Sequence, residues 1–352
     1  MSKIIRASHS ELLELTASAL EAVDVPQTDA ALAAEILATA DLIGIDTHGT
    51  KRLAPYIARL RDGVFKARPK LKTIQQAATS IIIDGDSGLG PVIGTRALDI
   101  ALETAAKYGT AFVACRNSQH FGALAPYAMR ACRAGMVCFL GTNAFPTMAP
   151  WGGKDIKTGN NPIGLGAPRR DAPPFILDIA MSVAARGKMR KAAQKGEKIP
   201  VGWALDADGN PTTDPNEGLN GYVLPIGGHK GYGIALAVDI LAGVLSGGAV
   251  ATEVQSLFKQ KERPQQASHF FMVIDPAQTI GTEPFLDRIE ALCLIMKETE
   301  PIDADMPVLI PGEIEARKAD EHMRLGIPMD EEFYESLRSL ARGEAPDSVA
   351  SV

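Results

Sequence analysis

Cysteine is scarce in this 352-residue chain, and the four present, Cys115, Cys132, Cys138 and Cys293, show no metal-ligand spacing. That argues against a metal site, and three of them, in apolar or strand-like surroundings, read as reduced core residues of a cytoplasmic protein. The six histidines include no H-x-x-x-H or H-E-x-x-H pair, which argues against a metal-dependent hydrolase or lyase built on His48, His120 and His229, so no metal is expected. No long basic run occurs and the net charge is −6, so nucleic acid is not an expected partner. The opening MSKIIRASHSELLEL has no apolar h-region and no cleavage-like site, so neither secretion nor a membrane is expected. Aromatic residues make up only 5%; the 46% hydrophobic and 22% charged remainder is ordinary globular material, enough for one large or two medium domains.

The most distinctive stretch present is LPIGGHKGYGIALAVDILAGVLSGG, residues 224–248. From Gly233 it is apolar on nearly every side except at Asp239, which predicts a buried helix. It is too short, and too well bounded by Gly247-Gly248, to span a bilayer. Its start, Gly227-Gly228-His229-Lys230, predicts open backbone N–H groups and a cation for an anionic ligand.

Ser8 and Glu11 have capping-box spacing ahead of a helix to about Val23, and a second, alanine-rich helix starts at Thr28 and ends near Gly44. Leu53, Ile57 and Leu60 then repeat at helical spacing. The i, i+4, i+8 spacing of His48, Arg52 and Tyr56 places a proton donor, a guanidinium and a phenol on one helical face, suited to a small carboxylate. An exposed face with a capping Asp46 or Thr47 is the alternative reading.

From Thr79 the pattern is strand, helix, strand: SIIIDGD, Pro91 to about Tyr108, TAFVACRNS. Gly88, Gly90 and Gly94 are spaced G-x-G-x-x-x-G, one residue too long for the dinucleotide fingerprint, and no strand about 20 residues on ends in Asp or Glu, so the Rossmann assignment is rejected. His120 to Leu124 occupy a strand-to-helix turn, where ligands collect in open α/β sheets. MVCFLGTN reads as a strand, and the glycine- and proline-rich stretch that follows, to about Arg169, reads as irregular and functional. A strand ends in Asp178, and a helix from Ser182 to about Lys195 carries Arg186, Lys188, Arg190 and Lys191. That basic face is either solvated or, if it neighbours His229-Lys230, a phosphate contact. SHFFMVIDP reads as a strand and EPFLDRIEALCLIMKE as an amphipathic helix; the end reads as an exposed loop and one final helix, with the last ten residues frayed.

DTHGTKRLAPYIARLRDG, HFGALAPYAMRA, GTNAFPTMAPWGGKD, NNPIGLGAP, ILDIAMSVAARGK, GWALDADGNPTTDP, the 224–248 stretch and VLIPGE occur in this order. The chain thereby resembles, over nearly its whole length, the malate/L-lactate dehydrogenase family of non-Rossmann oxidoreductases. That family includes ureidoglycolate, sulfolactate and diketogulonate dehydrogenases and piperideine-2-carboxylate reductases. The resemblance implies a homodimer using NAD or NADP. It implies a mixed-sheet α/β cofactor domain, residues 76–314, packed on a helical part made of residues 1–75 and 315–352. The substrate it implies is a small 2-oxo or 2-hydroxy acid, with a cyclic imine carboxylate as the alternative.

Carried across by position, His48 resembles the acid/base, with Thr47 beside it and His120 as a rival. Arg52, Tyr56 and Asn160 resemble substrate contacts. Cofactor contacts are implied at His120, Phe121, Gly122, Ala123, Leu124, Asn143, Ala144, Asp178, Ile179, Ala180, Arg186, His229, Lys230, Pro311, Gly312 and Glu313. Three departures stand out: Thr47 replaces the family's more frequent Ser, Asn160 replaces Thr, and Lys188 stands where the cyclic-imine reductases carry an acid. The last favours a 2-oxo acid over an imine. A catalytically dead binding protein of the same fold is the remaining reading, and retention of His48, Arg52, His120 and Lys230 speaks against it.

Overall fold

The computed structural model describes residues 3–260, 262–303 and 305–345. Its frame is a seven-stranded sheet in the order Lys72–Gln76, Ser80–Asp84, Thr110–Ser118, Ala267–Ile274, Val137–Thr142, Ile163–Ala167, Phe175–Ile179. Only Ser80–Asp84 and Thr110–Ser118 run parallel, joined by the Gly90–Tyr108 helix; every other pairing is antiparallel. A Rossmann sheet is parallel throughout its nucleotide-binding half, so this sheet is of another kind. Gly90 and Gly94 serve packing: a Cβ on Gly90 would lie 2.2 Å from the His120 carbonyl oxygen, and one on Gly94 2.5 Å from the Phe121 ring.

One face of the sheet carries the Gly90–Tyr108 and Ala125–Arg133 helices over a core of Ile83, Leu98, Tyr127, Leu140 and Phe271. The other carries the His229–Asp239 helix, which buries Val238 against Ala114 and Phe270. A second core joins the two chain ends: Leu12, Leu37, Tyr56 and Phe65 pack with Ile327, Leu337 and Leu340. There Ile4–Ala7 pairs antiparallel with Ile327–Asp330. A smaller five-stranded sheet, from Pro146–Met148 to Tyr222–Val223, lies beside the main one.

Several expectations need correction. The 144–169 stretch is not wholly irregular: Ile163–Ala167 is a full strand of the main sheet, its glycines allowing Ala128 and Leu140 to approach closely. The chain end holds two helices, Glu313–Leu325 and Glu331–Ala341, with a strand between. The basic helix starts at Arg186, four residues late, because 181–183 pairs with 224–226. Of the capping box only half forms: the Ser8 hydroxyl accepts from Glu11 N, but the Glu11 carboxylate takes the Tyr334 hydroxyl instead. The 233–248 helix is not buried all round. Its continuation, the π-turn Ile240–Val244, leaves Ile240 52% and Val244 58% exposed. The fraying expected at the terminus falls mostly on residues 346–352, outside those described.

Candidate active site

His48, Arg52 and Tyr56 do not share one helical face. Asp46–His48 and Thr50–Arg52 are separate 3₁₀ turns, and the α-helix begins only at Leu53. Buried Asp41 imposes the break. Its Oδ2 accepts from Thr50 N at 2.8 Å and Thr50 Oγ1 at 2.6 Å, pulling the chain inward. Only a glycine fits at 49, where a Cβ would lie 2.0 Å from Asp41 Oδ1.

The three side chains meet nonetheless, through a fourth. The His48 and His120 rings stack with centroids 5.6 Å apart. The buried Tyr56 hydroxyl lies 2.6 Å from His120 Nδ1 and donates to the His120 carbonyl at 3.0 Å. Both partners of the phenol belong to His120, and the direction of the Nδ1 contact follows the imidazole tautomer. His120 N donates to Gln265 Oε1 at 2.9 Å, which fixes the backbone as well. Tyr56 is therefore a partner of His120 and holds no hydroxyl hydrogen free. Beneath the turn, Phe121 is sandwiched between His269, 4.0 Å away, and Tyr127, 4.4 Å away. His269 is buried between the Thr142 and Ser118 hydroxyls at 2.7 and 2.8 Å.

His48 Nδ1 lies 3.0 Å from the Thr47 hydroxyl, as His120 Nδ1 lies against the Tyr56 hydroxyl, so both rings are engaged at Nδ1. Burial first, and the Arg52 charge next, push the His48 pKa down to about 4. His120 is held well below the ordinary value by burial, Arg52 and His48. Arg52 donates Nε to the Thr47 carbonyl at 2.6 Å and stands 5.5 Å over the Phe258 ring. Buried Arg59 grips the Phe258 loop through the carbonyls of Ser256, Leu257 and Gln260.

The residues expected at the cofactor lie along a chain of contacts leading from this cluster. Gly122 faces the His48 carbonyl, and Asp178 Oδ2 caps the next helix, accepting from Leu124 N at 2.8 Å and Ala125 N at 2.9 Å. After Ile179 and Ala180, Met181 N donates to the Asn160 carbonyl and Met181 O accepts from Ile226 N. That brings Asn160, Ile179 and Ala180 to the loop before His229 and Lys230, both exposed. The N–H groups expected there are mostly used: those of Lys230, Gly231 and Tyr232 donate to Gly227, Ile226 and Gly228, so an anion would meet the Lys230 ammonium rather than bare amides. Asn143 is buried with its side chain fully engaged, by Asp239, Ala249 and Ser268, and Ala144 N donates to Asn161 Oδ1. Arg186 donates to the Leu219 carbonyl. The Pro311 carbonyl accepts from Ile176 N, Gly312 abuts the Pro174 carbonyl, and Glu313 pairs with Lys297 and, at 3.8 Å, Arg169. This loop thus lies against the strand that carries Asp178.

The family model for malate/L-lactate dehydrogenase matches residues 7–338. The chain belongs to the malate/L-lactate dehydrogenase family. It is 37% identical over 346 residues to the malate dehydrogenase of Pyrococcus horikoshii, covering 96% of this chain and 95% of that one. The structure of the sulfolactate dehydrogenase from Methanocaldococcus jannaschii superimposes with a TM-score of 0.90 at 36% identity, over 96% of this chain and 97% of that one. The Δ1-piperideine-2-carboxylate reductase from Pseudomonas syringae pvar. tomato shares the fold at TM-score 0.84 but only 27% identity, over 96% and 99%. As a family member the protein is an NAD- or NADP-dependent 2-hydroxy acid dehydrogenase, and the oxo-acid reading holds over the imine.

Sequence reasoning passed over four residues that hold this site. Gln265 lies just before the strand Ala267–Ile274 and His269 lies within it, where the sequence shows only a strand-like apolar run. In the sequence Asp239 is only an interruption of an apolar helix; its carboxylate accepts from Asn143 Nδ2 at 3.2 Å and Asn161 Nδ2 at 3.1 Å. Asn161 is the buried member of the Asn160-Asn161 pair, and only a carboxylate inside an apolar helix signalled that amides would meet it.

Proposed function

We propose that this dehydrogenase holds the carboxylate of a small 2-oxo acid on Arg52 while His48, backed by the Thr47 hydroxyl, exchanges the proton at the substrate oxygen. The observation that carries this is a guanidinium and a titratable imidazole on consecutive turns, the imidazole stacked on a second one whose Nδ1 and backbone N–H are both engaged. A bound nicotinamide supplies the hydride. In reduction the His48 imidazolium protonates the developing alkoxide; in oxidation the neutral ring takes the hydroxyl proton. Arg52 sets which face of the carbonyl is presented. His120, locked to Tyr56, Gln265 and the Phe121 stack, has the role of a wall that positions substrate and cofactor.

The residues that would hold the cofactor fit it chemically. Ile179 and Trp151 offer exposed apolar surface, and Lys230 and His229 offer donors beside the Gly227-Gly228 loop. Flat rings joined by a diphosphate need both. The division expected from the resemblance, residues 1–75 and 315–352 against 76–314, is supported by the separate core that joins both chain ends. A homodimer is supported by apolar surface that a lone chain leaves in water: Ile240, Val244 and Leu245 on one face, Leu292 and Ile295 on another. Sedimentation at the mass of one 352-residue chain, with full activity, would refute it. Four buried free thiols support a cytoplasmic location, and among the described residues no helix is long and apolar enough to cross a membrane.

The deciding experiment follows absorbance at 340 nm with NADH or NADPH and a panel of 2-oxo acids, in wild type, His48→Ala and His120→Ala. His48→Ala is expected to lower kcat by about 10²–10⁴ with little change in cofactor Kd, and His120→Ala to weaken cofactor binding with a smaller loss of kcat. A larger kcat loss in His120→Ala at saturating ligands would reverse the assignment.

A further inference from the structure

A cleft of about 470 Å³ opens past the end of the helix that starts at His229, at the opposite end from Lys230. That volume suits a small metabolite. Apart from Ala249 and two glycines, its lining is polar or charged: Arg116, Asn117, Glu253, Gln255 and Gln266. Arg116 spends Nε on Asp84 at 3.2 Å and Nη1 on the Ser246 and Gly247 carbonyls at 3.5 and 3.1 Å; Nη2 has no partner among the described residues. Glu253 Oε2 accepts from Val250 N at 3.1 Å, which leaves Oε1. Gln255 spends Nε2 on the Glu253 carbonyl and keeps Oε1. The backbone around the cleft is strained: Asn117 at φ 51°, Gln266 at φ 59° and nearby Ala251 at φ 48° are left-handed without being glycine. Such conformations cluster at ligand clamps, where the surrounding structure holds them.

Two routes lead from the cleft to His120. Asn117 lies three residues before it at the end of the Thr110–Ser118 strand. Gln255 N donates to the Gln265 carbonyl at 2.9 Å, and Gln265 Oε1 takes the His120 N–H at 2.9 Å.

We propose that this cleft is a second ligand site, for a polar α-amino acid whose carboxylate meets Arg116 Nη2 and whose ammonium meets Glu253 Oε1. A zwitterion satisfies both charged groups at once, whereas a simple anion or amine leaves one of them unmet. A polar side chain finds its donors and acceptors in the Gln255 and Gln266 amides. The bound amino acid ties the strand end to the Gln255–Gln265 pair and so acts on the backbone that holds His120. Its binding is independent of which 2-oxo acid the enzyme reduces.

The test is isothermal titration of the full-length protein with L-glutamine, L-glutamate and L-aspartate, each beside its N-acetyl form, which lacks the ammonium, and its α-amide, which lacks the carboxylate. At least one amino acid should bind, about tenfold or more tighter than both of its blocked forms, the size of a charge-assisted contact. Glu253→Gln keeps an acceptor for Val250 N and should weaken that binding by about tenfold or more. If it does not fold, Gln266→Gly, whose backbone conformation suits glycine, replaces it with the same expected direction. Arg52→Gln should leave the binding unchanged, which separates the cleft from the active site. No heat from any of the three amino acids up to about 10 mM, equal binding of the blocked forms, or loss of binding in Arg52→Gln overturns the site. With the amino acid bound, kcat or KM for 2-oxo acid reduction should shift in wild type and not in Glu253→Gln. Binding with no kinetic shift overturns the link to His120. Binding in a protein that reduces no 2-oxo acid would leave this site standing and sink the dehydrogenase reading alone.

Discussion

A histidine with a pKa of about 4 is a poor proton donor near neutrality, and in the proposed site a substrate carboxylate on Arg52 would change that. In the free protein the burial of His48 and the nearby Arg52 charge disfavour the imidazolium, so at pH 7 only about one molecule in a thousand carries it. A substrate carboxylate on Arg52 cancels that second cause and adds a negative charge of its own. Returning His48 to its ordinary pKa of about 6.5 would protonate roughly a quarter of the complexes at pH 7, a gain of about 3 kcal/mol for the acid form. Substrate binding and proton uptake are therefore predicted to be coupled.

The profiles follow from the sign. For reduction, kcat/KM reports the free enzyme and should fall about tenfold per pH unit above roughly pH 5, while kcat, which reports the complex, holds to about pH 6.5. For oxidation, kcat/KM should stay flat over that range and kcat should fall below about pH 6.5. Arg52→Gln should move the free-enzyme limb of reduction toward neutrality while lowering kcat/KM by about 10- to 100-fold through loss of the clamp. Stopped-flow with a pH indicator, on mixing the NADH complex with oxamate, should record proton uptake that His48→Asn abolishes. Reduction kcat/KM flat from pH 5 to 8, or uptake that survives in His48→Asn, refutes the coupling.

Three further outcomes are expected. Lys230→Ala should raise the cofactor KM by about tenfold or more, the worth of one charge-assisted contact; an unchanged KM in the folded variant removes Lys230 from the site. Tyr56→Phe deletes the hydroxyl that binds His120 Nδ1 and carbonyl. Steady-state kinetics should show kcat down by about three- to tenfold, from one lost hydrogen bond, and equal activity would deny His120 its fixed orientation. Asp41 is pushed up by burial to about 7. The native state then holds a proton that the unfolded chain releases near pH 4, so this group's contribution is full below that pH and is lost as the pH rises to about 7. Chemical denaturation should find Asp41→Asn less dependent on pH between 4 and 7 than wild type; equal slopes would exclude the raised pKa.

Local pattern alone determined a good part of this protein. The β-branched run SIIID and the segment TAFVACRNS are the strands they read as, because side-chain period and propensity act within a few residues. The misfit glycine spacing correctly excluded a Rossmann turn, and ordered motifs identified the family. Tertiary structure decided what no period encodes. His48 and Tyr56 reach His120 across 64 or more residues, so their contact depends on how the N-terminal turns dock on the sheet rather than on i, i+4 spacing. The Leu53–Arg61 helix that the apolar repeat predicts does form, but Asp41, by binding Thr50 nine positions on, breaks the continuity back to His48 that the i, i+4, i+8 spacing assumes. Among neighbours with the same side chain, Asn160 and Asn161 differ only in which way the backbone turns them, and that turn places Asn161 on buried Asp239. Burial also had to be seen. An apolar helix reads the same whether its far face meets the protein's own core or, as Ile240 and Val244 do here, is left for another surface.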